Sequence, residues 1–217
     1  MSGAAGPVPR VRRVARTLRL RLRLGPARWR ELTLWALDLE TGGLSPTTDP
    51  ILSIGMVPIQ HGAVGIGRGL HTVVRPGAPV AEESLKVHHI LPRDLDGAPP
   101  LADVLPAVED RIRDGVLVVH QRSVDVPFLD VAFRRSGLET PPFLVVDTVH
   151  LLLRYAHRHG HLTPERREFP TDLAGARARF GLPPHRAHEA LSDAVATAEL
   201  FLVLAHRLRA GRVSQLL

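Results

Sequence analysis

Two short apolar runs, each followed directly by a helical pattern, place the strongest constraint on how this chain can fold. The runs are GVLVVH (residues 115–120) and PFLVVDT (residues 142–148), and the patterns after them are VDVPFLDVAFRRSG and VHLLLRYAHRH. A helix between two strands carries the chain back across the sheet, so the strands can lie parallel, whereas a tight turn makes them antiparallel. The two units therefore predict a parallel sheet region with helices packed on it.

The segment before these units predicts an antiparallel part of the same sheet. LTLWALDL, PILSIGMVPIQ and GIGRGLHTVVRP are three strand candidates joined by short, turn-prone links. Further helical patterns lie at residues 101–114, at 171–181, where we expect Thr171 to cap the helix and Gly181 to end it, and from about Ala190 to Arg209. The predicted fold is α/β, with a mixed five-stranded sheet flanked by helices.

The basic side chains are concentrated at the N-terminus. Residues 1–30 contain nine arginines and no acidic residue, whereas the rest of the 217-residue chain contains 19 basic and 22 acidic side chains. Like charges at this density keep a segment solvated. We therefore predict a flexible basic arm at residues 1–30, a folded domain at 31–210 and a short tail at 211–217. The arm could contact nucleic-acid phosphates or act as an organellar transit peptide.

The absence of cysteine and the short apolar runs restrict the metal sites and the membrane association that this chain can have. The chain has no cysteine, which excludes disulfides and thiolate metal sites and fits a reducing compartment. No apolar run approaches the roughly 18 residues that a membrane-spanning helix needs. We expect a soluble, cytoplasmic protein of bacterial origin without a membrane partner, and any metal ligand must be oxygen or imidazole.

A pair of carboxylates marks the end of the first predicted strand. Asp38 and Glu40 are two residues apart, so on a strand their side chains project from the same face. Adjacent anions in a partly buried place need a cation, and hard oxygen ligands suit Mg²⁺ or Mn²⁺. Gly42 and Gly43 then let a bulky ligand approach the backbone. An acidic pair at a strand end also fits a solvated loop or a helix cap.

Three further residues could join this pair. Asp125 begins the helix after GVLVVH, and His188 precedes Asp193 by five positions. Five residues of a regular helix separate two side chains by roughly 140°. His188 and Asp193 can therefore share a site only if His188 lies on the loop before the last helix, where Pro183 and Pro184 favour a loop.

Three motifs resemble those of a known nuclease family. DLETGGL, VVHQRSVDVPFL and HEALSDA match, in order and spacing, the exonuclease motifs of the DEDDh family, whose members include the proofreading epsilon subunit of bacterial DNA polymerase III. The resemblance covers roughly residues 32–204 and includes SLKVHHI, DLDGAPPLADVLP and VVDTVHLLLR. It implies an RNase H-like fold and a 3′-5′ exonuclease that releases nucleoside 5′-monophosphates from DNA, in proofreading or repair.

The resemblance also implies roles for particular residues. Two divalent ions, Mg²⁺ or Mn²⁺, would be held by Asp38, Glu40, Asp125 and Asp193, with Asp38 bridging both. His188 would take the proton of the attacking water. His185 is eight residues from Asp193 instead of five, and we interpret it as an exposed loop residue.

Substrate contacts are implied in the same way. The backbone at Thr41 and Gly42 would hold the terminal nucleotide, Leu44 would wedge against the last base, and His120 would also contact the substrate. Thr41-Gly42-Gly43 stands where many relatives have Thr-Thr-Gly, and Gln121 stands where Asn is common, so the nucleotide preference is open. We leave His88, His89 and Asp147 outside the site, the last as a helix cap.

The partner implied by the resemblance is a nucleic acid with a free 3′ end, with DNA favoured over RNA. A DNA polymerase subunit is the second partner that the resemblance suggests. Two alternatives stay open at this point. One is a 3′-5′ exoribonuclease of the same family, and the other is a module that kept the fold and binds nucleic acid or a polymerase through its arginine-rich arm.

Overall fold

A mixed sheet with helices on both faces forms the body of the protein. A computed structural model describes residues 10–80, 82–90, 92–160 and 169–217. The strands are β1 (Leu34–Thr41), β2 (Ile51–Gln60), β3 (Ala63–Val64), β4 (Leu70–Val73), β5 (Val116–Val119) and β6 (Leu144–Asp147). The helices are α1 (Arg10–Leu24), α2 (Glu82–Val87), α3 (Pro92–Asp96), α4 (Leu101–Ile112), α5 (Arg122–Arg135), α6 (Thr148–Arg158), α7 (Leu173–Arg179) and α8 (Ala190–Arg207).

The sheet confirms the predicted mixture of strand directions. β2 pairs antiparallel with β1, β3 and β4, whereas β1 with β5 and β5 with β6 are parallel. The described strands number six instead of five because the short strand β3 forms within the link that was predicted as a turn. The predicted third strand begins with a 3₁₀ turn at Ile66–Arg68 and is extended in β4. Opposite this turn lies Pro58 of β2, which has no N–H to donate and only accepts a hydrogen bond from Gly65.

Alternation along β1 divides the core between the two faces of the sheet. Leu34 and Ala36 face the layer that contains α6 and α8, whereas Leu37 and Leu39 face α4 and α5. Asp38 and Glu40 follow at the same two-residue spacing, so they lie on the face of Leu34 and Ala36. The strand therefore directs both carboxylates toward α8 at the point where the apolar core ends.

Residues 10–24 form a helix that packs on the body. Leu20 is buried in the core shared with α6 and α8. Arg13 and Arg16 form ion pairs with Asp130 and Glu139, both at 2.7 Å. The described part of the predicted flexible arm is thus structured, because acidic side chains of the body neutralise arginines on one face while Leu20 is buried and Leu24 packs against the same core. Residues 1–9 of the predicted arm lie outside the described residues.

The junction after α1 and the C-terminal tail are packed together. Trp29 is 1% exposed, its indole N–H donates to the carbonyl oxygen of Ala210 at 2.7 Å, and its ring meets Phe201 edge-on. Val213 and Leu216 are buried in the same core. The domain limits at residues 31 and 210 stay a prediction, and both segments beyond these limits contribute to the core.

The last two helices follow the predicted pattern with one change of cap. Asp172, not Thr171, caps α7, because its carboxylate accepts the N–H of Gly175 at 2.7 Å. Gly181 follows this helix with a φ of +70°, which is the left-handed conformation expected at a helix end. Within the part of the chain that the structure describes, no helix is both long and apolar enough to span a bilayer.

Candidate active site

The site begins where β1 approaches the first turn of α8. Asp38 pairs in register with Gly55 of β2. A Cβ atom on Gly55 would lie 2.1 Å from the carbonyl oxygen of Ala190, so only glycine allows the start of α8 to lie this close to the sheet. This approach places Asp193, in the first turn of α8, beside the carboxylates of β1. Gly55 stands within an apolar strand pattern, but the sequence alone does not show that α8 packs against it.

Four carboxylates converge at this point. Oxygen atoms of Asp38, Glu40 and Asp193 lie within 4.8 Å of one another. Asp125, at the start of α5, is 3% exposed and reaches the same cluster, where the backbone N–H of Leu39 hydrogen-bonds to its carboxylate. The structure therefore brings together all four residues that the sequence predicted as metal ligands.

The environment of the cluster raises the pKa values of its three aspartates. Burial, followed by the negative charges of Asp125, Glu40 and Asp193, raises the pKa of Asp38 well above its ordinary value. Burial raises the pKa of Asp125 to about 8, with smaller contributions from neighbouring carboxylates. The pKa of Asp193 is raised mainly by burial as well. Without a cation the cluster therefore holds protons at neutral pH.

The donor set fits hard divalent cations. All four side chains offer carboxylate oxygens, which Mg²⁺ and Mn²⁺ prefer. Oε1 of Glu40 is buried and has no hydrogen-bond partner among the described residues. A buried acceptor without a partner is costly, and a bound cation would remove that cost.

His188 occupies the predicted loop before α8. Its backbone has a φ of +62°, its side chain is exposed, and its N–H donates to Oδ2 of Asp193 at 3.0 Å. A ring nitrogen of His188 lies within 4.8 Å of a carboxylate oxygen of Glu40. The hydrogen bond to Asp193 holds the loop against the first turn of α8 and so keeps the imidazole at the edge of the carboxylate cluster.

Two other histidines differ from their predicted positions. His185 was expected to be exposed, but its side chain is 9% exposed and Nε2 lies 2.9 Å from Oδ1 of Asp193. His88 was left outside the site, yet its Nδ1 contacts Oε2 of Glu40. Both contacts form because separate loops fold back onto the carboxylates, and no local pattern indicates either contact.

The residues after Glu40 form a fixed turn. The N–H of Gly42 donates to the carbonyl oxygen of Pro50 at 2.8 Å, and the hydroxyl of Thr41 donates to the carbonyl oxygen of Gly43 at 2.7 Å. Gly42 is therefore unavailable as a donor to a nucleotide, and its role in a substrate site would be steric. Leu44 is 88% exposed and projects from this turn, and its role as a wedge stays a prediction.

His120 has a structural position that differs from the predicted substrate contact. Its Nε2 donates to the carbonyl oxygen of Thr171 at 2.9 Å, and its Nδ1 lies 2.8 Å from the hydroxyl oxygen of Thr148. Burial lowers the pKa of His120, so the ring is neutral at pH 7. Asp147 caps α6 as predicted, by accepting the N–H of Val149 at 2.9 Å.

Comparison with known proteins supports the assignment that the motifs suggested. The family model described as "Exonuclease" (RNase_T) matches residues 35–201. The chain belongs to this exonuclease family. The DNA polymerase III PolC-type protein of Thermotoga maritima is 30% identical over 174 residues, which cover 79% of this chain and 12% of the relative. The DNA polymerase III subunit epsilon-like protein of Rhodobacter capsulatus is 34% identical over 188 residues, which cover 83% of this chain and 25% of the relative.

Solved structures show the same fold at lower identity. Cell-death related nuclease 4 has a TM-score of 0.70 at 16% identity, with 82% of this chain and 64% of the other covered. The nuclease domain of 3′hExo, a DEDDh family member bound to rAMP, has a TM-score of 0.65 at 18% identity, with 83% of this chain and 94% of the other covered. Exonuclease X in complex with 5′ overhanging duplex DNA has a TM-score of 0.61 at 22% identity, with 84% of this chain and 96% of the other covered. The predicted DEDDh resemblance and RNase H-like fold are confirmed.

Proposed function

We propose that this exonuclease is a divalent-metal-dependent 3′-5′ enzyme that hydrolyses the terminal phosphodiester bond of DNA and releases nucleoside 5′-monophosphates. The convergence of four carboxylates from β1, α5 and α8, with the imidazole of His188 at their edge, carries the proposal. The names of the polymerase III relatives support DNA as the substrate and a role in proofreading or repair. The chain spans only about an eighth to a quarter of these relatives' length.

The carboxylates have a common role in this proposal. Asp38, Glu40, Asp125 and Asp193 would hold Mg²⁺ or Mn²⁺, which when bound lowers the pKa of a water molecule and neutralises charge on the scissile phosphate. The raised pKa values of Asp38, Asp125 and Asp193 predict that a cation must displace protons to enter the site.

His188 would accept the proton of the attacking water at a ring nitrogen. An imidazole suits this task because its ordinary pKa lies near neutral pH. Its ring stands on an exposed loop, so it is accessible from the solvent side of the carboxylates. His185 is a weaker candidate because its Nε2 is already engaged with Asp193.

The turn after Glu40 would select a chain end. Asp49 accepts the N–H of Ser45 at 2.8 Å, and a Cβ on Gly43 would lie 2.2 Å from Oδ2 of Asp49, so the turn that carries Leu44 is tightly fixed. An exposed leucine four residues after Glu40 can stack against a terminal base, while an internal duplex base pair offers it no free face. This would favour an unpaired 3′ end.

The direct test is hydrolysis of 5′-labelled DNA. The purified protein should shorten single-stranded and 3′-recessed oligonucleotides from the 3′ end in Mg²⁺ or Mn²⁺, and should be inactive in EDTA. Asp38→Asn should lower the rate at least ~100-fold, because charge stabilisation of several kcal/mol is lost. Asp110→Asn, an exposed carboxamide substitution on α4, is the matched control and should leave the rate unchanged.

The outcomes separate this proposal from its alternatives. Shortening from the 5′ end, products other than nucleoside monophosphates, or equal rates for wild type and Asp38→Asn would refute it. Matched DNA and RNA oligonucleotides of one sequence give the substrate class. A faster rate on RNA would replace the DNA assignment with an exoribonuclease.

A further inference from the structure

We propose that Glu40, His88 and His188 form a second metal site, softer than the carboxylate cluster, that binds Zn²⁺ or a similar late first-row ion. One ligand atom from each side chain lies within 4.8 Å of the other two. The three residues come from separate elements: the end of β1, the residue after α2 and the loop before α8. The site therefore exists only in the folded protein.

The spacing of the ligand atoms is close to that of a zinc site. Ligand atoms bound tetrahedrally at zinc distances are about 3.3 Å apart. Nδ1 of His88 already contacts Oε2 of Glu40, and the rings of His88 and His188 have centroids 6.1 Å apart at an interplanar angle of 72°. His188 is on an exposed loop, so a shift of roughly 1.5 Å by this side chain would complete the geometry.

An unsatisfied oxygen atom of Glu40 provides a second observation. Oε1 of Glu40 is buried and makes no hydrogen bond within the described part of the chain, and the buried Nδ1 of His88 contacts Oε2 of the same carboxylate. Glu40 itself is 5% exposed. A buried carboxylate oxygen without a hydrogen bond, on a carboxylate that already contacts a buried imidazole, is what a protein cation site presents before the ion enters.

An entry route leads to this point. A cavity of about 580 Å³ is lined by Glu40 and His88, and by His71 and His89 farther along its wall. A cavity of this size admits a hydrated ion together with several waters.

The donor set distinguishes the two sites. Two imidazoles and one carboxylate, with a fourth position open to water, form a set that Zn²⁺ takes in proteins, whereas Mg²⁺ requires octahedral oxygen coordination. Glu40 belongs to both groups of ligands. Glu40 is therefore shared by two ligand sets: the carboxylate cluster, which suits hard cations, and the trio of Glu40, His88 and His188, which suits Zn²⁺.

This arrangement has a consequence for activity, and that consequence rests on the proposed function. An ion bound by the trio would withdraw Glu40 from the carboxylate cluster and occupy the imidazole of His188. Micromolar Zn²⁺ should then inhibit hydrolysis supported by Mg²⁺, and excess Mg²⁺ should not restore it, because Mg²⁺ competes poorly for imidazole nitrogen.

Metal binding can be measured without any nuclease activity. The full-length protein with Asp38→Asn and Asp125→Asn, which weakens the all-oxygen cluster and retains the trio, is dialysed to equilibrium against Zn²⁺. Co²⁺ is added to a parallel sample as a spectroscopic substitute. We expect one ion per chain and the intense visible absorption of four-coordinate Co²⁺. Adding His88→Ala or His188→Ala should weaken binding by on the order of 100-fold or more, since a direct ligand is lost. His89→Ala, which removes the neighbouring exposed imidazole, should leave binding unchanged.

Equal Zn²⁺ affinity in the parent, His88→Ala and His188→Ala proteins would overturn the inference, as would Co²⁺ absorption that survives both substitutions. Thermal unfolding in EDTA checks the fold of each variant. His188 has an exposed side chain, so its variant keeps the test valid even if His88→Ala unfolds. Failure of DNA hydrolysis in Mg²⁺ would refute the proposed function and leave the Zn²⁺ measurement intact, whereas lost Zn²⁺ binding by the parent would refute this inference alone.

Discussion

Replacing Asp125 by asparagine should stabilise the protein in EDTA at neutral pH, although the substitution removes a predicted metal ligand. The carboxylate of Asp125 is buried beside three others, and its burial raises its pKa from 3.8 to about 8. Asparagine has nearly the same shape and can still accept the N–H of Leu39, but it carries no charge at any pH.

The direction and size of the effect follow from this pKa. The folded protein keeps a proton on Asp125 that the unfolded chain releases above about pH 4, so Asp125 makes the free energy of unfolding fall as pH rises from about 4 through 8. Each unit corresponds to 1.36 kcal/mol, so the loss at pH 7 is roughly 4 kcal/mol. The asparagine variant escapes this loss, and its advantage should grow with pH over the same interval.

Urea denaturation followed by circular dichroism, from about pH 5 to about pH 8 in EDTA, measures the difference. Asp130→Asn is the matched control on α5. It breaks the partly exposed ion pair with Arg13 and should change stability by no more than about 1 kcal/mol at any pH. In saturating Mg²⁺ the advantage of Asp125→Asn should shrink, because the cation offsets the repulsion in wild type. If Asp125→Asn is no more stable than wild type at pH 8, or if its advantage does not decline toward pH 5, the electrostatic reasoning is wrong.

Two further substitutions test how the chain termini and α8 are placed. Trp29→Ala should lower the free energy of unfolding by about 3–5 kcal/mol, because a fully buried indole and its hydrogen bond are lost; a change below about 1 kcal/mol in urea denaturation would show that this segment lies outside the fold. Gly55→Ala should cost about 1–3 kcal/mol in the same measurement and slow DNA hydrolysis, because its Cβ would push Ala190 and α8 away from β1. Gly67→Ala, whose Cβ would meet nothing within 4 Å, is its control, and equal behaviour of the two variants would contradict the argument.

Much of the site could be predicted because its geometry is set by local rules. Alternation along β1 places Asp38 and Glu40 on one face whatever the rest of the chain does. The helical repeat excludes His188 from the face of α8 that carries Asp193, and the structure has it on the loop. Order and spacing of the motifs then connected these local positions to a family.

Other contacts could not be read from any local pattern. His88 meets Glu40 only because the segment after β4 folds across the end of β1, where the hydroxyl of Ser84 donates to the carbonyl oxygen of Thr41 at 3.2 Å. His185 and Asp193 are eight residues apart, and their contact depends on the path of the loop between α7 and α8.

The basic N-terminal segment shows the same division. Its composition predicts a solvated arm when residues 1–30 are considered by themselves, since nine arginines have no acidic neighbour in that stretch. Asp130 and Glu139, more than a hundred residues away, supply the missing charges, and Leu20 finds a core to enter.

The sequence by itself thus determined the strand that carries the first two carboxylates, the loop position of His188 and the family. Tertiary structure alone decided which histidines reach those carboxylates, how closely α8 approaches the sheet and whether the arginine-rich segment folds. The physical reason is the distance along the chain over which each effect acts. Strand alternation and the helical repeat act over a few residues, whereas burial, desolvation and ion pairing depend on groups that meet only when distant elements pack.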